Sequence, residues 1–66
     1  MYRIELKYKN QLLQTKNVGS WHDLAREKFA AVRRAIEPLQ GRDLELTLIT
    51  PRGEIELQYK TEENQQ

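Results

Sequence analysis

Residues 44–60, LELTLITPRGEIELQYK, have the clearest β-hairpin pattern in the chain. Apolar and polar residues alternate on both sides of a central TPRG segment, and such alternation places every second side chain on one face of a strand. Pro51 and Gly53 are well placed for the reverse turn between the two strands. Ile49 is predicted to face outward. The residues predicted to face inward are Leu44, Leu46, Leu48, Ile55, Leu57 and Tyr59.

A second hairpin is predicted at the start of the chain. Residues 2–9, YRIELKYK, alternate without interruption, which predicts a strand with one buried face. Asn10 is a turn residue, and residues 12–18, LLQTKNV, can return antiparallel as a weaker strand at the edge of a sheet.

The register of this return strand follows from the turn. If Lys9 lies opposite Leu12 across a two-residue turn, Leu13 and Thr15 face inward. Leu12 and Lys16 then face outward, so Leu12 is expected to be exposed.

One amphipathic helix is predicted between the two hairpins. Ser20, with Asp23 three residues later, has the spacing of an N-terminal capping box. Pro38 ends the regular helix near Glu37, and Gly41 is free to adopt a left-handed stop. A helical wheel places the following residues on one broad arc that faces the sheet: Trp21, Leu24, Ala25, Phe29, Ala31, Val32, Ala35, Ile36 and Leu39.

The predicted fold class is α+β, with the element order ββαββ. Two sheet orders compete. In the order 2-1-4-3 the final strand pairs in parallel with the first, which makes a mixed four-stranded sheet with the helix packed on one face. In the order 1-2-3-4 the irregular segment LLQTKNV lies in the middle. The first order suits the sequence better, because edge strands tolerate polar and irregular residues that central strands do not.

This layout resembles the β-grasp, or ubiquitin-like, fold. MYRIELKYKNQLLQTKNV corresponds to its opening hairpin, SWHDLAREKFAAVRRAIEPLQG to its grasped helix and LELTLITPRGEIELQYK to its closing strands. The resemblance covers nearly the whole chain by element order. It implies a binding module, since most proteins of that fold act by binding. The chain is also similar to Phox-and-Bem type interaction domains in having a lysine, Lys7, on its first strand.

The length and composition bound the function. The 66 residues allow one domain, predicted at residues 1–60, and a frayed C-terminal tail at residues 61–66. The chain has no cysteine, which excludes disulfides, thiolate metal sites and thiol nucleophiles. It also has no apolar segment of signal or membrane length. We therefore expect a cytoplasmic protein that has no contact with a membrane.

An enzymatic function is not expected. His22 is the only histidine, and the residues four and eight positions later, Arg26 and Ala30, are not metal ligands. Ser20 is the only serine, and the predicted helix cap explains it. No nucleophile is paired with a base by a local motif, so no catalytic residue, metal site or cofactor is predicted.

The charges of the chain are nearly balanced. Eleven Lys and Arg residues face ten Asp and Glu residues, and the net charge of +1 produces no strong field for nucleic acid. On the helix, Asp23 lies three residues before Arg26, and Glu37 lies four residues after Arg33. The arginine-bearing face of the helix is therefore predicted to be a solvated, charged face.

The function predicted from these features is non-catalytic binding of another protein through the outer sheet face and the edge of the second strand. Mixed charges cover the outer face, and only two apolar residues interrupt them. The residues predicted to contact a partner are Leu12, Ile49, Lys7, Lys9 and Lys16. Homodimerisation through the second-strand edge is a further hypothesis, because few charges protect this edge. The alternative is a small nucleic-acid-associated protein, phage- or plasmid-like in size, that uses Lys7, Lys9, Lys16 and Arg33.

Overall fold

The computed structural model describes residues 1–39 and 43–61, and its elements follow the predicted ββαββ order. The helix α1 (His22–Ile36) lies between two hairpins and continues into a 3-10 turn at Glu37–Leu39. Pro38 lies in this turn, so the predicted end of the regular helix near Glu37 is confirmed. The predicted stop at Gly41 lies outside the described residues. The strands are β1 (Arg3–Tyr8), β2 (Gln11–Asn17), β3 (Leu44–Ile49) and β4 (Ile55–Thr61).

All three strand pairings are antiparallel, and the strand order is β2-β1-β3-β4. The α+β class with four strands and one helix is confirmed. The predicted order 2-1-4-3, with a parallel pairing in a mixed sheet, is wrong, and so is the order 1-2-3-4. β3, with the sequence LELTLI and a single charge, lies in the centre beside β1, whereas β4, with Glu56 and Lys60, lies at the edge. The β-grasp resemblance rests on the order of the elements along the chain, and it is not confirmed, because the observed strand order differs from the predicted 2-1-4-3.

The core lies between α1 and one face of the sheet, here called the helix face; the opposite face is called the outer face. Leu46 and Leu48 in β3 are fully buried. The main contacts of α1 with the sheet are to β3 and β4, and all seven residues of β2 are exposed. The other buried members of the core cluster are Ile4, Val18, Ala25, Phe29, Ile36 and Leu44.

Trp21 is not part of this core. It occupies the N-cap position of α1 in an extended conformation, with φ −87° and ψ 120°, and is 74% exposed. The predicted capping box of Ser20 and Asp23 is wrong, because the helix begins one residue later than that box requires and has no side-chain cap. Leu24 is also exposed, since it lies one 100° step around the helix from the buried Ala25.

A β-bulge in β4 changes which of its residues face the core. Leu48 pairs with Leu57 and Ile49 pairs with Ile55, so Glu56 is the extra residue. One extra residue reverses the alternation, so the side chains that precede the bulge face the opposite side of the sheet from the one that regular alternation predicts. Ile55 accordingly lies on the outer face and is 61% exposed, so its predicted inward position is wrong. Leu57, beyond the bulge, packs against the core as predicted.

The last strand extends through Thr61, one residue past the predicted domain end at residue 60. Thr61 is fully buried, and its hydroxyl oxygen accepts a hydrogen bond from the Leu44 N–H at 3.0 Å. The rest of the predicted tail, residues 62–66, lies outside the described residues.

Candidate interaction surface

A two-residue turn sets the register of the opening hairpin. Tyr8 pairs with Gln11, and the turn consists of Lys9 and Asn10, with φ of 50° and 70°. Positive φ at both central residues is the geometry whose twist matches that of the flanking strands. The predicted pairing of Lys9 with Leu12 is therefore wrong by one residue.

A β-bulge near the start of β2 then determines which of its side chains share a face. Leu12 pairs with Lys7, and the register shifts so that Leu13 becomes the extra residue. Leu12 is 53% exposed and Leu13 is 57% exposed. Thr15 pairs with Glu5 on the outer face. The predicted inward positions of Leu13 and Thr15 are wrong, because the alternating pattern has no signal for the bulge.

The five residues predicted to contact a partner do not form one cluster. Lys7, Lys9 and Leu12 lie together at the turn end of the opening hairpin. Lys16 pairs with a core residue of β1, so it lies on the helix face and its predicted outward position is wrong. Ile49 lies at the other end of the sheet, paired on both sides, and is 7% exposed. Ile49 is thus buried by its neighbours and is wrong as a predicted surface residue.

The outer edge of β2 presents backbone groups to solvent. Val18 donates its N–H to the carbonyl oxygen of Tyr2 at 3.0 Å. Backbone groups point alternately to the two sides of a strand, so Lys16 also points its N–H toward β1. Thr15 and Asn17 then point their N–H and C=O groups away from the sheet. In the part of the chain that the structure describes, no strand pairs with this edge.

The other edge of the sheet, β4, is protected. The bulge residue Glu56 reaches α1, and its Oε2 lies 2.8 Å from His22 Nε2 and 3.0 Å from Arg26 Nη1. Charged side chains and bulges are features that prevent edge strands from pairing with other chains. β2 has a bulge at one end, but Lys16 is the only charged residue among its seven.

The contact between His22 and Glu56 shifts the titration of both groups. The hydrogen bond with Glu56 raises the pKa of His22 above its ordinary value of 6.5, and the same bond lowers the pKa of Glu56 below 4.5. The ring of Tyr2 lies 5.8 Å from the His22 ring, measured between centroids. Sequence reasoning missed this pair because regular alternation assigns Glu56 to the outer face. Among the described residues, no group of three or more His, Cys, Asp or Glu side chains could hold a metal ion.

A cleft of about 370 Å³ lies between α1 and β4, with Arg26 and Arg33 among its lining residues. The Arg33 guanidinium lies 4.7 Å from the centroid of the Tyr59 ring, and its Nε lies 3.4 Å from Glu37 Oε2. The predicted pairing of Arg33 with Glu37 is confirmed, whereas Arg26 pairs with Glu56 instead of its predicted partner in the helix. Carboxylates therefore neutralise both arginines, which reduces the attraction of the cleft for phosphate.

Comparisons with protein-family models, with curated proteins and with solved structures find no match for this chain. The described helices include none with the length and apolar character needed to cross a membrane. The surface itself therefore carries the functional argument.

Proposed function

We propose that this protein is a small, non-catalytic module that binds another protein through the open edge of β2 and the adjoining outer face. The observation that carries the proposal is the contrast between the two edges of the sheet. β2 is exposed along its whole length and nearly uncharged, whereas β4 carries a bulge residue bonded to α1. An extended segment can add to such an open edge, with main-chain hydrogen bonds for affinity and side chains for specificity.

Two exposed leucines support this choice of surface. Leu12 and Leu13 follow each other at the bulge of β2, and each has more than half of its surface exposed. Tyr8 and Lys9 lie at the same end of the hairpin, with the Lys9 ammonium 5.5 Å from the centroid of the Tyr8 ring. Apolar anchors next to a polar rim are typical of the central part of protein interfaces.

Capture of partners from a native extract tests the proposal with two matched variants. Leu12→Lys places a charge on the proposed surface. Ile55→Lys makes the same chemical change at a residue of similar exposure on the far edge. We expect wild type and Ile55→Lys to retain the same protein and Leu12→Lys to lose it. Equal retention by both variants would contradict the proposal.

Nucleic-acid binding is the weaker proposal. Lys7 and Lys16 lie on opposite faces of the sheet, and Arg33 is bonded to Glu37 on the helix. These cations therefore do not form one continuous positive surface. Binding to random DNA that weakens steeply with added salt would support this alternative, whereas indifference to DNA at low salt would eliminate it.

A further inference from the structure

The part of the β2 edge that can pair with another strand is short and well defined. Because the bulge at Leu13 interrupts the regular backbone alternation, the regular edge runs from Gln14 to Asn17. Within it, Thr15 and Asn17 direct their backbone groups outward. Beyond Asn17 the chain turns inward, since Val18 is buried and bonds to Tyr2.

An edge with these properties is complementary to its own copy. Two identical strands related by a two-fold axis run antiparallel, and each outward residue then meets an outward residue of the second copy. An axis at Lys16 would place two ammonium groups opposite each other, which is unfavourable. An axis at Asn17 would require the buried Val18 to join the new pairing. An axis at Gln14 would pair Thr15 with the bulge residue Leu13, where the regular alternation is interrupted. The remaining axis passes through Thr15.

We infer that the partner of this edge is a second copy of the chain, paired antiparallel through β2 with Thr15 on the two-fold axis. The two Thr15 residues exchange their N–H and C=O groups, and their side chains form a favourable cross-strand threonine pair on the outer face. Lys16 of each copy lies opposite the neutral Gln14 of the other. Leu12 and Leu13 come to lie beside the end of the second copy's β2, which covers part of their apolar surface. The product is a continuous eight-stranded antiparallel sheet.

This inference rests on the proposed function, because both use the β2 surface. It adds the identity of the occupant and the register. A strand from an unrelated protein is the competing occupant, and the experiments below distinguish the two.

Sedimentation of the full chain at high micromolar concentration tests the association. Wild type should have twice the monomer mass of 7.9 kDa. Thr15→Lys places two like charges on the axis and should restore the monomer. It should not unfold the subunit, because the new ammonium group lies opposite Glu5 in the same chain. Gln58→Lys makes the same charge change on β4 and should remain dimeric. A monomeric wild type, or equal dissociation by both variants, would overturn the inference.

Disulfide formation tests the register, and the chain is suited to it because it contains no cysteine. Hydrogen-bonded antiparallel pairs have Cα atoms about 5.5 Å apart, within the range that a disulfide spans. Thr15→Cys should therefore oxidise to a covalent dimer. Asn17→Cys should not, because its two copies are offset by four residues, or about 13 Å along the strands. Gln58→Cys is the control on the far edge. A yield of covalent dimer at either control position equal to that of Thr15→Cys would contradict the proposed register.

The failure of this inference and that of the proposed function give different results. A monomeric wild type whose capture of another protein depends on Leu12 would remove the second copy and leave the proposed function standing. A dimer that dissociates in Thr15→Lys, combined with capture that Leu12→Lys does not affect, would support self-pairing and remove the proposed binding surface for other proteins.

Discussion

Replacing Leu46 with alanine should lower the free energy of unfolding by about 3 kcal/mol. Leu46 is fully buried in the central strand β3 and belongs to the cluster that packs against α1. Leu→Ala substitutions at such sites cost about 2.7–5.0 kcal/mol, through lost burial and the cavity left behind. A chain of 66 residues has about 3–10 kcal/mol in total at the usual stability per residue. The variant should therefore lose a third or more of its stability.

Trp21 provides the contrast that tests the position of the core. A tryptophan can bury up to about 250 Å². Since Trp21 is 74% exposed, roughly 65 Å² is covered, and about 25 cal/mol per Å² gives an upper limit near 1.5 kcal/mol for Trp21→Ala. A core position, as the sequence predicts for Trp21, would cost about 3–5 kcal/mol on the same substitution.

Urea unfolding followed by far-UV circular dichroism measures both losses without depending on the tryptophan signal. With a slope of about 1 kcal/mol per molar urea for a small domain, Leu46→Ala should shift the midpoint by about 3 M and Trp21→Ala by about 1.5 M at most. Leu48→Ala, at the other fully buried leucine of β3, should behave like Leu46→Ala. A loss in Trp21→Ala equal to or above that in Leu46→Ala would refute the assignment of the core.

Three further predictions concern individual contacts. The hydrogen bond with Glu56 raises the pKa of His22 above 6.5, so it stabilises the fold below that pH and this contribution is lost as the pH rises through the raised pKa. Glu56→Gln should return the pKa of His22 toward 6.5 in an NMR titration; an unchanged value would contradict the pairing. Thr61→Val removes the acceptor of the buried Leu44 N–H and should cost about 1–3 kcal/mol in urea unfolding. Thr61→Ser keeps the hydroxyl and should cost less. Lys9 has a φ of 50° in the turn, where asparagine is favoured. Lys9→Asn should raise the melting temperature by about 2–4 °C, corresponding to about 0.5 kcal/mol, whereas Lys9→Ala should not.

Sequence alternation predicted the central strands well and the edge strands poorly. In β3, Leu44, Leu46 and Leu48 are all buried as predicted. A central strand is paired on both sides, which leaves little freedom for an extra residue. Bulges are more frequent at sheet edges, and both bulges of this sheet lie in its edge strands. Ile55 and Leu13 were misplaced for this reason.

The sheet order was mispredicted because the edge position of β2, which the structure has, leaves open whether β3 or β4 pairs with β1. β3 and β4 alternate equally well in sequence, so alternation does not separate them. Their charges do: Glu45 is the one charged residue of β3, whereas β4 has Glu56 and Lys60. Charge content separates β3 from β4, but it is no general rule in this sheet, because the central strand β1 carries Arg3, Glu5 and Lys7.

The sequence predicted the candidate surface only where exposure depends on residues that are close together in the chain. The exposure of Leu12 followed from the sequence even though its predicted partner Lys9 is wrong, because the observed partner Lys7 is two residues from Lys9 and faces the side of the sheet predicted for Lys9. The burial of Ile49 did not, since it depends on neighbours in β1 and β4 that are distant in sequence. The bond between His22 and Glu56 depends on the bulge in the same way.

The position of α1 gives the strongest reason to assign a function to β2. The helix lies over β3 and β4, so the burial of apolar side chains that stabilises this fold takes place mainly on that half of the sheet. β2 contributes seven ordered residues and none of them is buried. Ordering a backbone costs about 1–2 kcal/mol per residue, and hydrogen bonds to β1 alone recover about 0.5–1.5 kcal/mol each. Because the ordering cost of β2 exceeds what its hydrogen bonds to β1 recover, the strand is stabilised most by a further contact on its second side. Pairing of its open edge supplies that contact.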